Sequence, residues 1–310
     1  MRKLNIIFAI KSVKPSGGAL KVRHYYEHAL SHKNFNTLLY MPDDIDWHQS
    51  NPWYKYRDNV LPEIDWNVVD IVFISGWGWE RFIPSKYHYE STFKVIYLVQ
   101  HPSKLMPEFD RYKNLDKPAT RICVSGAMTE MANKIPNING PVLTIPAGTD
   151  LTELQSLAEK PKTTDVLIAG LKNPAMGEAL YAKLGSLGLT VKLLTERMDR
   201  RSFIDFISVA KIVVCLPNPL EGFYLPALEA MALNALVICP YAIGNDYCID
   251  GKNGFVPAYT LEDIYNVVRK SLELTDEEMN VIKRHAGDTV KAHDIKLEKK
   301  SFHELLNKYF

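Results

Sequence analysis

Short β-branched runs that alternate with helical patterns are the feature that most constrains the fold of this chain. One series of runs occupies the first half and another occupies the second half, with helical stretches such as ALKVRHYYEHALSH and AMTEMANKI between several of them. This alternation predicts parallel sheets whose faces are covered by helices. The runs of the first series are LNIIFAI (4–10), NTLLYM (36–41), DIVFISG (70–76), KVIYLVQ (94–100), TRICVSG (120–126) and PVLTIPAG (141–148), and those of the second are TDVLIAG (164–170), TVKLLTE (from 190), AKIVVCLP (210–217) and ALVICP (235–240).

The length of the chain favours two domains. It has 310 residues, more than a single hydrophobic core usually serves, which favours two domains of about 150 residues each. The polar, charged segment GTDLTELQSLAEKPKTTD (148–165) is the best candidate for the joint. We therefore expect two Rossmann-like, doubly wound α/β domains, residues 1–155 and 156–292, with a last helix over about 293–310 that packs back on the first. Ligands of such sheets bind outside the carboxyl ends of the strands, so the loops after the strands are where chemistry is expected.

Composition and charge argue against several classes of function. Charged residues make up 24% of the chain and the formal net charge is +1, so no nucleic-acid partner is expected. No stretch approaches the roughly 20 apolar residues of a membrane-spanning helix, so any membrane contact is expected to be peripheral, at the inner face. The cysteines lack the spacing of a zinc or redox site and are expected to be reduced, mainly buried thiols of a cytoplasmic protein: Cys123, Cys215, Cys239 and Cys248.

The apolar stretch EGFYLPALEAMALNALVICP (221–240) keeps two acids, Glu221 and Glu229. A helix is expected to begin near Pro226, because proline is tolerated in the first turn of a helix. The turn before it would then present free backbone amides beside the positive end of the helix dipole, which suits a phosphate or diphosphate. The residues of this turn are Gly222, Phe223, Tyr224 and Leu225.

The two acids have a functional and a structural interpretation. A carboxylate beside an anion site can accept hydrogen bonds from sugar hydroxyls, including the vicinal diol of a ribose. Alternatively, Glu229 is a surface residue and Glu221 merely complements the helix dipole. Spacing alone leaves both interpretations open.

A resemblance to a known family favours the functional interpretation. EGFYLPALEAMALNALVICP, followed by GNDYCIDGKNGFVP, resembles the signature of retaining nucleotide-sugar glycosyltransferases with the GT-B fold, in which two glutamates are separated by seven residues. VSGAMTEMA (124–132) and TIPAGTD (144–150) resemble the end of that family's N-terminal domain, and KNPAMG resembles the enzymes that build bacterial surface polysaccharides. The resemblance covers most of the chain.

The resemblance implies a role for each matching residue. Glu221 would bind hydroxyls of the transferred sugar, the amides of residues 222–225 would bind the diphosphate, and Glu229 would hold the ribose. Gly17 and Gly18 would let the first loop approach the phosphates. His101, in VQHPSK, would lie near the donor sugar and the attacking hydroxyl.

The chain departs from the family at two cationic positions. The family usually has Arg directly after the glycine that ends the first strand of the second domain, and Lys five residues later. Here these positions are Leu171 and Met176. The charges that a departing diphosphate needs are expected to come instead from other residues. The candidates are Lys172, Arg200 and Arg201.

Two further patterns suggest metal sites only weakly. His24, His28 and His32 share one helix face, but three such positions span about 12 Å, too far for one ion. DDID (43–46) has the Asp-x-Asp spacing that other glycosyltransferases use to hold a metal, in a loop where acids are common. No metal or other cofactor is expected, because the amide turn itself can bind an anion.

The tryptophans indicate where an acceptor would bind. All five lie within residues 47–79, at positions 47, 53, 66, 77 and 79. Core packing is expected to use two or three, and the others would form platforms for sugar faces or lipid. There is no P-loop or GxGxxG motif, and Ser125 lacks a nucleophile-elbow context, so hydride and serine hydrolase chemistry are not expected.

These observations predict a metal-independent, retaining glycosyltransferase. It would move a sugar from a nucleotide-diphosphate sugar to a glycan or lipid-linked glycan in surface polysaccharide synthesis. The donor would bind the C-terminal domain and the acceptor the N-terminal domain. The alternatives are a nucleotide-sugar epimerase of the same fold and a non-catalytic subunit that binds nucleotide sugars or glycans.

Overall fold

The computed structural model describes residues 2–11, 16–42, 45, 47–49, 51 and 53–310. Contacts divide the chain into two compact units. Unit 1 comprises Met1–Ala147 with Glu298–Phe310, and unit 2 comprises Gly148–Leu297. Each unit contains a parallel sheet, because the buried β-branched runs pair side by side and helices connect them.

Unit 1 is built on a seven-stranded parallel sheet in the order β3-β2-β1-β4-β5-β6-β7. Its strands are β1 (Leu4–Ala9), β2 (Phe35–Tyr40), β3 (Val60–Leu61), β4 (Ile71–Ser75), β5 (Lys94–Val99), β6 (Thr120–Cys123) and β7 (Val142–Thr144). Its helices are α1 (Gly17–Leu30), α2 (Gly78–Arg81) and α3 (Gly126–Asn133), with 3₁₀ helices at Tyr54–Asn59, Ser85–Tyr87, Pro102–Lys104 and Asp110–Leu115.

Unit 2 is built on a four-stranded parallel sheet in the order β11-β10-β8-β9. The strands are β8 (Thr164–Ala169), β9 (Val191–Leu194), β10 (Ala210–Cys215) and β11 (Leu236–Ile238). The helices are α4 (Leu151–Ala158), α5 (Pro174–Gly185), α6 (Arg200–Ser208), α7 (Leu225–Ala232), α8 (Leu261–Leu272) and α9 (Asp276–Ala292), and the last helix of the chain is α10 (Ile295–Tyr309).

The predicted α/β class with parallel sheets is confirmed, and every β-branched run that we expected to be a strand contains one. The sequence prediction missed β3 (Val60–Leu61), which pairs only with the end of β2. A strand of two residues shows no periodicity, so pattern gives no signal for it. No helix in the described part of the chain is long and apolar enough to cross a membrane.

Helices α1 and α10 meet at a buried ionic cluster within unit 1. Glu298, whose side chain is fully buried, forms an ion pair with Lys21 and accepts a hydrogen bond from His28 at 3.0 Å. Burial alone would raise the pKa of Glu298, but the charges of Lys21 and His28 outweigh burial and lower it. This cluster ties residues near the end of the chain to the first helix of the unit.

His24 and His28 lie on α1, but His32 lies beyond its end at Leu30, so the expected single helix face carries two of the three histidines. His24 Nδ1 lies 3.0 Å from Lys21 Nζ, and the ring of His32 packs edge-on against His303 at 4.6 Å. The described residues hold no group of three or more His, Cys, Asp or Glu side chains arranged to bind a metal. Asp43, Asp44 and Asp46 of the Asp-x-Asp pattern lie outside the described residues.

The cluster predicts that the stability of unit 1 depends on pH. Burial lowers the pKa of both His28 and His32 below 6.5, although Glu298 opposes the effect at His28. The folded state therefore binds fewer protons than the unfolded state, so the free energy of unfolding falls as pH drops below about 6.5. All tryptophans belong to unit 1, so urea unfolding followed by tryptophan fluorescence at pH 7.5 and 5.5 measures this unit.

Two variants test the cluster. Glu298→Gln should lower the free energy of unfolding at pH 7.5 by about 3–5 kcal/mol, because it leaves Lys21 buried without its carboxylate. His28→Gln should weaken the pH dependence between 7.5 and 5.5, whatever its effect on absolute stability. An unchanged pH dependence in His28→Gln would show that this histidine does not titrate as proposed.

Candidate functional site

The candidate site lies after the carboxyl end of β10, where the chain turns into α7. The helix begins at Leu225, with Pro226 in its first turn, one residue from the predicted start. Tyr224 is the N-cap residue, and its side chain makes no capping hydrogen bond. The backbone amides of the turn therefore decide what the start of this helix can bind.

Three amides of the turn are unpaired within the described residues, and one is not. No described residue accepts a hydrogen bond from the backbone N–H of Gly222, Phe223 or Leu225. The N–H of Tyr224 donates to Oδ1 of Asn245 at 3.2 Å. The sequence led us to expect that all four amides are open to a ligand. The amide of Tyr224 is not, because the buried side chain of Asn245 already accepts its hydrogen bond.

A second loop holds the turn in shape. The N–H of Gly244 donates to the carbonyl of Glu221 at 2.9 Å, and the hydroxyl of Tyr247 donates to the carbonyl of Tyr224 at 2.5 Å. Burial raises the pKa of Tyr247 well above its usual value, so this hydroxyl keeps its proton. Asn245, which is 3% exposed, also donates from Nδ2 to Sγ of Cys239 at 3.2 Å.

Glu221 lies at the start of this turn beside one cation. Its side chain is 13% exposed, and Oε1 lies 2.9 Å from Nζ of Lys172. The two charges are close, but the contact lacks hydrogen-bond geometry, and no described residue donates to this buried oxygen. A buried acceptor without a donor is costly, which suits a position that a ligand hydroxyl satisfies.

Lys172 reaches Glu221 from the loop after β8. The next residue, Asn173, caps α5 by accepting from the N–H of Met176 at 3.3 Å. Met176 packs against the buried core of unit 2, and Leu171 is partly buried. Lys172 is thus the cation that this loop brings to the turn.

Glu229, on α7, is only 2% exposed and is paired with Arg200. Nη1 of Arg200 donates to Oε1 of Glu229 at 2.6 Å, and its Nη2 lies 3.7 Å from Glu153. Burial alone would lower the pKa of Arg200, but the Glu229 carboxylate outweighs burial and raises it. The surface interpretation of Glu229 is therefore wrong in this structure.

Arg200 and Arg201 begin α6 but occupy different surroundings. Arg200 neutralises Glu229, whereas Arg201 is exposed and has no ion pair with any described residue. No described residue donates to the second carboxylate oxygen of Glu229. Arg200 therefore holds only one of the two carboxylate oxygens of Glu229.

The three cysteines of unit 2 are free thiols, and one of them contacts Asn245. Cys215 and Cys239 are buried and Cys248 is half-buried, and none forms a disulfide. Burial, and a hydrogen bond that the Cys239 thiol donates to Cys215, raise the pKa of Cys239 well above its usual value. A protonated thiol here serves as a hydrogen-bond partner for Asn245 and not as a nucleophile.

Unit 1 carries the remaining sequence candidates. Gly17 and Gly18 begin α1, and Nε2 of Gln100 donates to the carbonyl of Gly18 at 2.9 Å. Nδ1 of His101 lies 3.2 Å from the backbone N–H of Ser103, which donates to it. Nδ1 of His101 is therefore a hydrogen-bond acceptor, which leaves Nε2 as the ring nitrogen that carries a proton.

Solved structures of other proteins resemble the chain over its full length. Neither a protein-family model nor a curated protein sequence matches it. Sucrose-phosphate synthase from Thermosynechococcus elongatus matches with a TM-score of 0.72 at 13% identity, covering 99% of both chains. HepE of Anabaena, in complex with UDP-glucose, matches with a TM-score of 0.72 at 15% identity, covering 98% of this chain and 99% of that one. A glycosyltransferase from Rickettsia africae matches with a TM-score of 0.69 at 14% identity, covering all of both chains.

The chain has the GT-B fold. Within this GT-B chain, sequence reasoning selected the residues that line the turn but missed those that hold it. Gly244 and Asn245 were recognised only as part of a signature, and Tyr247 was not noticed. The Gly-Asn pair is the signal that could have pointed to the second loop, but only the structure shows what it contacts.

The contact between the loops predicts that Gly244→Ala disturbs the turn. A Cβ at Gly244 would lie 1.9 Å from the carbonyl oxygen of Gly222, so the backbone must move. We expect a loss of about 1–3 kcal/mol in the free energy of unfolding. Hydrogen exchange should also become faster in peptides that cover residues 221–225.

Gly287→Ala is the matched control. It adds the same methyl group within α9, in the same unit, where no atom lies within 4 Å of the new Cβ. This change should be neutral or stabilising by up to about 1 kcal/mol, because alanine favours helix. Equal exchange rates at residues 221–225 in both variants would contradict the proposed role of Gly244.

Proposed function

We propose that this chain is a retaining glycosyltransferase that moves a sugar from a nucleotide-diphosphate sugar to a glycan or glycolipid acceptor in surface polysaccharide synthesis. The observation that carries the proposal is the pairing of two unsatisfied features within unit 2. Buried Oε1 of Glu221 has no donor among the described residues, and it adjoins a turn with three amides that lack acceptors there. A sugar diphosphate supplies both the hydroxyl and the anion that these groups need.

The diphosphate would lie on the turn before α7. The amides of Gly222, Phe223 and Leu225 can donate to its oxygens, and the helix dipole favours its negative charge. Lys172, 2.9 Å from Glu221, would contribute the positive charge that Leu171 and Met176 do not. The likeness to HepE, whose structure contains UDP-glucose, supports a nucleotide sugar as the ligand.

The sugar and ribose would be held by the two glutamates. Oε1 of Glu221 would accept from a hydroxyl of the transferred sugar. The second oxygen of Glu229 would accept from the ribose, while Arg200 fixes the carboxylate from the other side at 2.6 Å. Ionised acceptors form stronger hydrogen bonds than neutral ones, so both contacts orient the donor.

The chemistry would be mainly electrostatic. As the bond from the sugar to the diphosphate breaks, negative charge develops on the leaving oxygen. Amides and Lys172, already in place, stabilise that charge without reorganisation. The acceptor hydroxyl attacks from the same face as the departing diphosphate, which retains the configuration, and its proton passes to the diphosphate oxygen that leaves. Unit 1 would bind the acceptor, and His101 would position it.

The proposal includes a cytoplasmic location, with peripheral contact at the inner face of the membrane when the acceptor is lipid-linked. No metal is required in this scheme, because amides and a lysine counter the diphosphate charge.

A non-catalytic nucleotide-sugar-binding subunit is the second candidate. It is favoured because Met176, which is partly buried and packs against the core, stands where the resembled enzymes place a lysine. Incubating the pure protein with a nucleotide sugar and no acceptor separates the candidates. Slow release of nucleoside diphosphate and free sugar supports a transferase, interconversion of the sugar supports an epimerase, and an unchanged donor supports a binding subunit.

Glu221→Gln tests the sugar contact. Replacing the charged acceptor should lower kcat/KM for sugar transfer by about 10- to 100-fold, since such hydrogen bonds contribute about 1.5–3 kcal/mol. The matched control is Glu262→Gln, which removes an exposed carboxylate paired with Lys183 in the same unit. The control should keep the parent rate. A parent-like rate in Glu221→Gln would remove this residue from the site.

Glu229→Gln tests the ribose contact through a change of ligand. The parent protein should bind its nucleoside diphosphate about tenfold more tightly than the 2′- or 3′-deoxy form, because one charge-assisted hydrogen bond is lost. The variant should bind both forms equally. Glu153→Gln, which alters the other carboxylate near Arg200, should keep the preference. A preference that survives in Glu229→Gln would assign the ribose elsewhere.

A chelator tests metal independence. Transfer measured in excess EDTA should proceed at the untreated rate. A loss of activity that Mg²⁺ or Mn²⁺ restores would instead favour the Asp-x-Asp pattern at residues 43–46.

A further inference from the structure

Two loops at one edge of the unit 1 sheet bring a tryptophan and an arginine together. Trp77 follows β4, and His101 follows β5, which pairs with β4 in parallel. The hydroxyl of Tyr97 on β5 donates to the carbonyl of Gly76 at 3.0 Å and so joins the two loops. Arg111, from the 3₁₀ helix Asp110–Leu115, places its guanidinium 5.0 Å from the centre of the Trp77 ring.

Trp77 is the exposed exception among the tryptophans of this region. Its exposed fraction is 45%, whereas Trp53 and Trp79 are fully buried in the core. An exposed indole beside an arginine offers a ligand an apolar ring face and a positive charge next to it. Such a surface suits a sugar ring that bears a negative group.

Arg111 is partly buried but lacks an acidic partner. Its Nη2 donates to Oγ of Ser103 at 3.4 Å, its charge acts on Lys104 and Tyr97, and no described carboxylate lies within ion-pair distance of it. Arg121 of the same unit differs from Arg111, because its buried guanidinium donates hydrogen bonds to the backbone carbonyls of several residues. These are Asn114, Leu115, Lys117, Ala119 and Asn139.

Positive charge is also concentrated beside Arg111. Lys104 is 2% exposed and donates from Nζ to the carbonyl of Leu98 at 2.9 Å. Burial, and then the charge of Arg111, lower the pKa of Lys104 to about 7. A doubly charged phosphate would relieve this repulsion more than a carboxylate, because it carries about −1.5 to −2 charge at neutral pH.

Ser103 connects this cation to His101. Its hydroxyl lies 2.9 Å from Nδ1 of His101 and accepts from Arg111 on its other side. The tryptophan, the arginine, the serine and the histidine thus form one continuous set of contacts. We call it the Trp77–Arg111 cluster.

We propose that the Trp77–Arg111 cluster binds an acceptor sugar that carries a phosphate group. The apolar face of the sugar lies on Trp77, and the phosphate is bound by the guanidinium fork of Arg111, whose planar geometry matches phosphate oxygens. This inference rests on the proposed function, since it names the acceptor of that reaction. The phosphate belongs either to a free sugar phosphate or to a lipid-linked sugar diphosphate.

Binding to the full-length protein tests the cluster. Isothermal titration would compare a panel of hexose 6-phosphates and 1-phosphates with the parent hexoses and with glucuronate. At least one phosphorylated sugar should bind about tenfold or more tightly than its parent hexose, as one charge-assisted contact provides. Equal binding of charged and neutral sugars across the panel would overturn the proposal, and a preference for glucuronate would overturn the phosphate assignment.

Variants assign the preference to Arg111. Arg111→Gln should abolish it and Arg111→Lys should reduce it. The matched control, Arg57→Gln, should retain it, although it removes another guanidinium that stacks on a tyrosine, 4.4 Å from the Tyr54 ring centre. A preference that persists in Arg111→Gln would contradict the assignment.

Two further measurements separate the possible failures and sources. Binding of the nucleoside diphosphate should be unchanged in Arg111→Gln, which shows that the variant is folded. If no nucleoside diphosphate binds the parent protein, the proposed function fails. If it binds and the sugar panel shows no preference, only this inference fails.

A lipid-linked probe distinguishes the two sources of the phosphate. The binding of N-acetylglucosamine linked to farnesyl diphosphate, in micelles, would be compared with the binding of N-acetylglucosamine 1-phosphate. Tighter binding of the lipid form identifies a lipid-linked source, and equal or weaker binding identifies a soluble source.

Discussion

The candidate site depends on one buried amide side chain. Asn245 accepts from the N–H of Tyr224 and donates to Cys239, so it fixes the turn before α7 to the strand that ends behind it. Gly244 allows the two backbones to approach closely enough for this contact. With the turn held in this way, the neighbouring amides are ordered before any ligand arrives. A preorganised anion site loses less free energy on binding than one that must form around its ligand.

Charge pairing explains how two glutamates persist in an otherwise apolar stretch. Burying a carboxylate without a partner is strongly unfavourable. Glu229 is therefore paired with Arg200, and Glu221 lies beside Lys172. The two pairs differ, since Arg200 makes a short hydrogen bond while Lys172 leaves Oε1 of Glu221 without a donor. The first pair orders a carboxylate, and the second leaves one ready for a ligand.

Sequence alone predicted the framework of unit 2 and the outline of its site. The runs that became β8 and β10, and the helix start beside Pro226, follow from local periodicity and from the chemistry of proline. The engagement of Tyr224 by Asn245 could not be predicted, because it joins residues 21 positions apart whose pairing no local pattern encodes. The partner of Arg200 was missed for the same reason: we expected it at the diphosphate, and its guanidinium lies on Glu229.

Unit 1 shows a similar division. The histidine pattern on α1 marked a face of that helix, but its partner, Glu298, lies 270 residues away from His28 and could only be found in three dimensions. Aromatic composition indicated an acceptor region in the first half of the chain. It could not separate Trp77, which is exposed, from Trp79 two residues later, which is fully buried.

The central claim is that the turn before α7 binds the diphosphate of a nucleotide sugar. A crystal structure of the protein with a bound nucleotide-diphosphate sugar tests it most directly. The account predicts diphosphate oxygens about 3 Å from the backbone nitrogens of Gly222, Phe223 and Leu225, with a sugar hydroxyl at Oε1 of Glu221. A diphosphate bound elsewhere, with these three amides still facing solvent, would contradict it.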